Sequence, residues 1–220
     1  MRVVVIGATG RTGRLVVAEV LRRGHEATAL VRDPHKLDQG LAGRVRVVTG
    51  DSRDPTVLAT LIEGADAVIS ALGPTNKEPT LHQDTAAALS TVMRTSGVHR
   101  FIGISGAGID VPGDDKALRD KVISTLIRRL GGKVVADKPA EHRVWADTDL
   151  NWTLVRPPRL RDGPPTGRIE HDAHRSTRST AMTRGDLAVF LADVLDRDLY
   201  PQAAPFAATA TIPVPDRRIH

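Results

Sequence analysis

Three glycines spaced three residues apart, in Val5-Ile6-Gly7-Ala8-Thr9-Gly10-Arg11-Thr12-Gly13, form a pattern that could do chemistry. Between a β-branched run and a helical pattern, each glycine has its own duty. The first lets the chain turn tightly, the second removes a side chain so that backbone N–H groups can approach a pyrophosphate, and the third lets helix and sheet pack closely. Thr9, Arg11 and Thr12 stand between them, and the positive end of the following helix faces the same phosphates. A simple tight turn would use the same glycines; their place at the start of a strand-helix-strand chain favours the phosphate.

More polar and small residues cluster where later strands should end. The second run closes as Leu30-Val31-Arg32-Asp33. An acidic side chain at this place hydrogen-bonds the ribose of NAD, whereas an arginine pairs with the extra phosphate of NADP. Arg32 comes first and Lys36 follows about one helical turn later, two cations for one dianion, so NADP(H) is expected over NAD(H). Asp33 either caps the turn that opens at Pro34 or faces the ribose. In Gly50-Asp51-Ser52, Asp51 can accept from an adenine amino group or shape an ordinary turn, and Ala71-Leu72-Gly73 are residues past which a cofactor could run.

These residues need a scaffold, and the chain supplies an alternation. Strands are predicted over residues 2–6, 26–31, 45–49, 67–70, 101–105 and 152–155, and helices over 11–23, 55–62, 81–95, 116–130, 139–146 and 184–195. Parallel neighbours require crossovers, so the pattern implies an α/β fold, a Rossmann-type doubly wound parallel sheet in a single domain over residues 1–212. Gly24 marks a helix end, and Thr183 is positioned to cap the last helix. The 116–130 helix carries Leu118, Val122, Leu126 and Leu130 on one face. Segments of about 110–138 and 157–182 are expected to cover a substrate, 157–179 as Pro-, Gly-, Arg- and His-rich loops, with residues 213–220 a mobile tail.

The motifs resemble the atypical short-chain dehydrogenase/reductases, the NAD(P)H-binding group that includes NmrA-like proteins and the biliverdin-IXβ and flavin reductases. The resemblance spans about residues 2–210. It rests on Gly7 to Gly13, Val31-Arg32-Asp33, Gly50-Asp51, Ala67-Val68-Ile69 with Leu72-Gly73, Leu150 to Pro158, and Thr183-Arg184-Gly185-Asp186-Leu187-Ala188. Typical members of the wider superfamily use a strand-end serine with Tyr-x-x-x-Lys, the lysine lowering the tyrosine pKa. Here Lys138 falls at the lysine position and Val134 at the tyrosine position, while the single tyrosine is Tyr200. The resemblance therefore implies reduction of a flat conjugated acceptor, such as a flavin, quinone or tetrapyrrole, in which the ring accepts hydride and solvent supplies the proton. It also leaves open a non-catalytic NADP(H) sensor of NmrA-like type. Ser105 would orient nicotinamide or acceptor, or simply form a turn. Arg159, after Pro157-Pro158, would clamp an anionic substrate or lie in solvent. Lys138 with Glu141 or His142 is an acid/base group or a surface ion pair.

Composition narrows the partners. Net charge is +5, from 31 Lys and Arg against 26 Asp and Glu, yet aromatics are 3% and the arginines are scattered, so a small polyanion explains the excess better than nucleic acid. Cysteine is absent, which excludes disulfides and thiolate chemistry. His171-Asp172-x-His174 lacks a third ligand nearby and reads as a solvated surface, with no metal expected. Trp145 and Trp152 read as core. No run approaches the roughly 20 apolar residues of a membrane span. The expectation is a cytoplasmic monomer or homodimer acting on a small-molecule acceptor, without nucleic-acid or membrane partners.

Overall fold

The computed structural model describes residues 1–41, 43–75, 77–118, 120, 125 and 132–211. The expected helix over 116–130, apart from its first few residues, and the tail after 213 lie largely outside them. Six strands form one all-parallel sheet: β1 (Arg2–Ile6), β2 (Glu26–Val31), β3 (Arg46–Thr49), β4 (Ala67–Ser70), β5 (Arg100–Ile104) and β6 (Asn151–Val155). Their spatial order is β3-β2-β1-β4-β5-β6. The order reverses direction between β1 and β4, and at such a reversal the flanking loops part and leave a crevice beyond the carboxyl ends of the strands.

The alternation in β1 shows why these runs fold as central strands. Val3 and Val5 join one core with α1 (Gly13–Arg22) and α5 (Arg184–Asp196). Val4 and Ile6 join the other, which also takes in α2 (Pro55–Ile62), α3 (Leu81–Ser96) and Trp145 of α4 (Gly132–Ala146). A strand with helices on both sides buries both side-chain rows, so its sequence is continuously apolar. Trp145 stacks on Phe101 with ring centroids 3.8 Å apart, and Trp152 is buried in the same core, as expected of both.

Caps set the helix starts. Asp54 accepts from the amides of Thr56 and Val57 at the head of α2, and Thr183 accepts from Asp186 N at 3.0 Å at the head of α5. Asp33 accepts from His35 N at 3.0 Å and caps a single 3₁₀ turn, Pro34–Lys36, the first of the two roles weighed for it. Arg11 and Thr12 stay in the loop ahead of α1.

Two expectations are corrected. Residues 157–179 were expected to be loops, but β7 (Arg159–Arg161) pairs in parallel with β9 (Ala181–Thr183), and β8 (Ile169–Asp172) pairs antiparallel with β10 (Phe206–Thr209). These strands are short and their partners lie far along the chain, so no local pattern announces them. The helix expected to open at Pro139 starts at Gly132 and runs through the proline, which packing against α3 accommodates.

Candidate functional site

The glycine loop closes on itself as its spacing requires. Gly7 has φ +79°, and a Cβ there would lie 2.9 Å from the carbonyl carbon of Ala71, so the backbone just past β4 leaves no room for a side chain at the first glycine. At Gly13 a Cβ would meet the Gly7 carbonyl oxygen at 2.0 Å. Gly10 N donates to that same oxygen at 3.0 Å. Among the described residues the amides of Arg11, Thr12 and Gly13 have no acceptor, which leaves donors at the positive end of α1 for an anion.

A groove beyond the ends of β1 to β4 gathers much of what the sequence singled out. It is lined by Gly7 and Thr9 of the loop, Arg32, Asp33 and Lys36 beyond β2, Asp51 and Ser52 beyond β3, and Leu72 beyond β4. Thr12 and Ala71 are buried at its edge. Gly73 has open space around it, so protein packing does not require a glycine there. Ser52 is buried, and its hydroxyl bonds Thr85 Oγ1 at 2.8 Å, tying the groove floor to α3.

The rim is ionic. Arg32 bonds Glu78 at 2.8 Å, Arg53 reaches both Glu78 at 2.9 Å and Asp51 at 2.6 Å, and Lys36 stands 4.0 Å from Asp33. The Arg53 guanidinium holds the Asp51 carboxyl down to about 2. Asp51 was expected to face an adenine amino group or shape an ordinary turn; it does shape a turn, accepting from Arg53 N at 2.9 Å while Asp54 N donates to its carbonyl, and the Arg53 guanidinium engages both of its carboxylate oxygens. Arg11 of the glycine loop lies 3.6 Å from Asp162.

A second pocket lies past the ends of β5 and β6. Gly106, Ala107, Gly108, Pro157, Pro158 and Phe206 give it a largely apolar wall, with Arg159 at its mouth. Arg159 is exposed and makes no ion pair among the described residues. Ser105 is buried just past the end of β5, next to the pocket residue Gly106, and its hydroxyl has no partner among the described residues. At the preceding residue, Ile104 O accepts from Lys138 Nζ at 2.6 Å, and the same Nζ pairs with Glu141 at 2.8 Å. That pair was expected on the surface; it is largely buried, because α4 packs against the sheet end, with Glu141 only 4% exposed in its side chain.

A model of the NAD(P)H-binding family matches residues 7–198. The chain belongs to that family. The solved structures it resembles include the anaerobillin reductase ChuY of Escherichia coli O157:H7, at 19% identity and TM-score 0.78, covering 96% of this chain and 98% of that one. A protein of Streptococcus pneumoniae TIGR4 described as a candidate NADH-flavin reductase shares 24% identity at TM-score 0.75, covering 96% and 100%. Among curated relatives, the isoflavone reductase homolog IRL of Zea mays is 28% identical over 205 residues, 86% of this chain and 62% of that protein. The chain spans about half to three-fifths of the length of the curated relatives it matches first. Among the described residues no helix is long and apolar enough to cross a membrane.

In this NAD(P)H-binding protein, several site residues escaped the sequence reading. Arg53 stands two positions after Asp51, a spacing that could have signalled the pair. Glu78 gave no signal, since it sits in the loop before α3. His82 and Asp137 form a buried pair, Nδ1 to Oδ2 at 2.7 Å, and His82 Nε2 lies 3.2 Å from Leu72 O at the groove edge. The same carboxylate accepts from the amides of His82 and Gln83, fastening the start of α3 to α4. His171, singled out with Asp172 and His174, bonds the hydroxyl of Tyr200.

Proposed function

We propose that this chain is an NADPH-dependent reductase of a flat, conjugated acceptor such as a flavin, quinone or tetrapyrrole. The reading rests on one juxtaposition: a glycine-lined polar groove beyond β1 to β4, a largely apolar pocket beyond β5 and β6, and, at the end of β5 next to the pocket residue Gly106, a buried serine hydroxyl with no partner among the described residues. Free amides and cations in the groove fit a dinucleotide phosphate, and a conjugated ring fits the pocket. The similar proteins named for flavin and anaerobillin reduction support the same class of acceptor.

Gly7, Gly10 and Gly13, with the amides of Arg11 and Thr12, hold the pyrophosphate; Thr9 lines the turn. Arg32 and Lys36 take the 2′-phosphate, with Asp51 and Ser52 beside the adenine, and Ala71, Leu72 and Gly73 flank the nicotinamide. Bound NADPH supplies the hydride. Ser105 donates or accepts a hydrogen bond where the two rings meet, and Lys138 fixes the end of β5 through Ile104 O. Arg159 draws in an anionic tail on the acceptor. Val134 offers no proton, which suits a ring that is protonated from solvent.

The test is NADPH oxidation with FMN, FAD and quinones. Turnover is expected with NADPH preferred over NADH, and Arg32→Ala should cut the NADPH/NADH ratio of kcat/KM about tenfold. An unchanged ratio removes the assignment of Arg32. Val134 favours a second reading, a sensor that binds NADP(H) without turning it over. Nucleotide saturation without oxidation on any acceptor, together with partner capture that differs between NADP+ and NADPH, would select it.

A further inference from the structure

The groove that is to receive a phosphate is already electrically satisfied. Arg32 and Arg53 are linked to Glu78 and Asp51 in one chain of ion pairs, and Lys36 stands 4.0 Å from Asp33, three cations against three carboxylates. Such a cluster offers a dianion little net attraction. One member is placed differently from the rest: Glu78 arrives from the loop between β4 and α3 and bridges Arg32 and Arg53 with its two oxygens.

We propose that Glu78 is a specificity-determining residue, a tethered carboxylate that competes with the 2′-phosphate for Arg32 and so narrows the preference for NADP over NAD. The proposal rests on the reading of Arg32 as the phosphate-binding residue. Arg32 holds the ligand side of the bridge loosely: its side chain is 69% exposed and Glu78 is its one ion-pair partner among the described residues. Arg53 is 36% exposed and anchored twice, to Asp51 and to Glu78. When a phosphate dianion enters, Arg32 swings to it while Glu78 stays on Arg53. A ribose diol has no charge with which to displace the carboxylate, so NAD binds beside an intact bridge. The exchange costs NADP one ion pair and costs NAD none. Glu78 therefore handicaps the phosphorylated cofactor alone.

Removing the charge while keeping the shape isolates this effect. NADP+ and NAD+ are titrated calorimetrically into wild type, Glu78→Gln, Arg32→Ala and the double variant, with thermal melts to confirm folding. Glu78→Gln is expected to tighten NADP+ roughly fivefold and to change NAD+ less than twofold, and the gain should vanish in the Arg32→Ala background. If Glu78→Gln leaves NADP+ unchanged or weaker while Arg32→Ala still abolishes the preference, the role given to Glu78 is overturned and the reading of Arg32 stands. Equal tightening of both nucleotides also overturns it, since the effect would then lie on the part they share. If Arg32→Ala does not alter the preference, or if neither nucleotide binds, the reading of Arg32 falls and this proposal falls with it. Glu78→Ala serves as the same test should the glutamine variant fail to fold.

Discussion

The glycine-lined groove and the apolar pocket are fastened by different physics. Around the groove the shape comes from the main chain: three glycines, one closely apposed strand end and a helix terminus with free amides. Its charged side chains are mostly exposed and sit on top of that frame. Around the pocket the shape comes from buried ionic side chains joining distant segments. Arg156, fully buried, bonds Asp114 through both nitrogens at 2.6 and 2.7 Å and lies 3.8 Å over the ring of Phe206, a pocket wall. Asp186, also fully buried, accepts from Thr166 and Thr209 and ties the loop after β7 to β10. Burial pushes the Asp186 carboxyl up, but the hydrogen bonds prevail and hold it below the usual carboxylate range. A frame made of backbone tolerates loss of a surface charge, whereas one made of buried ion pairs does not.

The largest effect should therefore follow from opening the pocket's tie. Asp114→Ala leaves the Arg156 guanidinium buried without its carboxylate, a change that costs about 3–5 kcal/mol and lowers Tm by roughly 10 °C. Below that lowered transition, nucleotide affinity should stay near wild type while KM for the acceptor rises, because the pocket loses the Arg156 support behind Phe206. Equal losses in nucleotide and acceptor binding would mean that the two regions are one mechanical unit, and the contrast would fail.

Two glycines sharpen the contrast from the groove side. A methyl at Gly13 collides with the Gly7 carbonyl at 2.0 Å, so Gly13→Ala must displace the loop; it should cost about 1–3 kcal/mol and weaken both NAD+ and NADP+ more than tenfold. Gly73 has nothing within 4 Å of the added atom. Gly73→Ala should thus leave stability within about 0.5 kcal/mol, and any affinity it loses would report contact with the ligand alone. Calorimetry beside thermal melts separates the two. Wild-type affinity in Gly13→Ala would remove the loop from the binding account.

The same contrast explains what the sequence could tell. Gly7 to Gly13, the strand-end Arg32 and the six apolar runs are local signals, each carried by neighbours within a few residues, and the sheet and groove could be read from them. Ser105 and Arg159 were legible as positions, since both follow strand ends. Arg156 was visible only as part of a motif, and nothing in its neighbourhood announced Asp114, about forty residues earlier. Glu78 was hidden for the same reason, because a loop carboxylate acquires its role only when the fold sets it between two arginines. The pairing of β8 with β10 depends on partners more than thirty residues apart, which no periodicity encodes.

The smallest effect should be a pH dependence carried by His142 of α4. Burial lowers its pKa from the ordinary 6.5, and the neighbouring Arg156 charge lowers it further, against the opposing pull of Asp114 and Glu141. Its ring meets Trp152 edge-on at 5.6 Å. The folded protein thus favours the neutral imidazole, and the unfolded chain takes up the proton first as acid is added. The contribution is complete above pH 6.5 and is lost as pH falls from there toward the lower folded value. Chemical denaturation at pH 8, 6 and 5 should show wild type losing more stability across that span than His142→Gln. Carboxylates elsewhere titrate in both proteins and cancel in the difference. If the two curves run parallel, His142 is not held neutral, and Arg156 does not impose its charge on α4 in the way the buried ties of the pocket require.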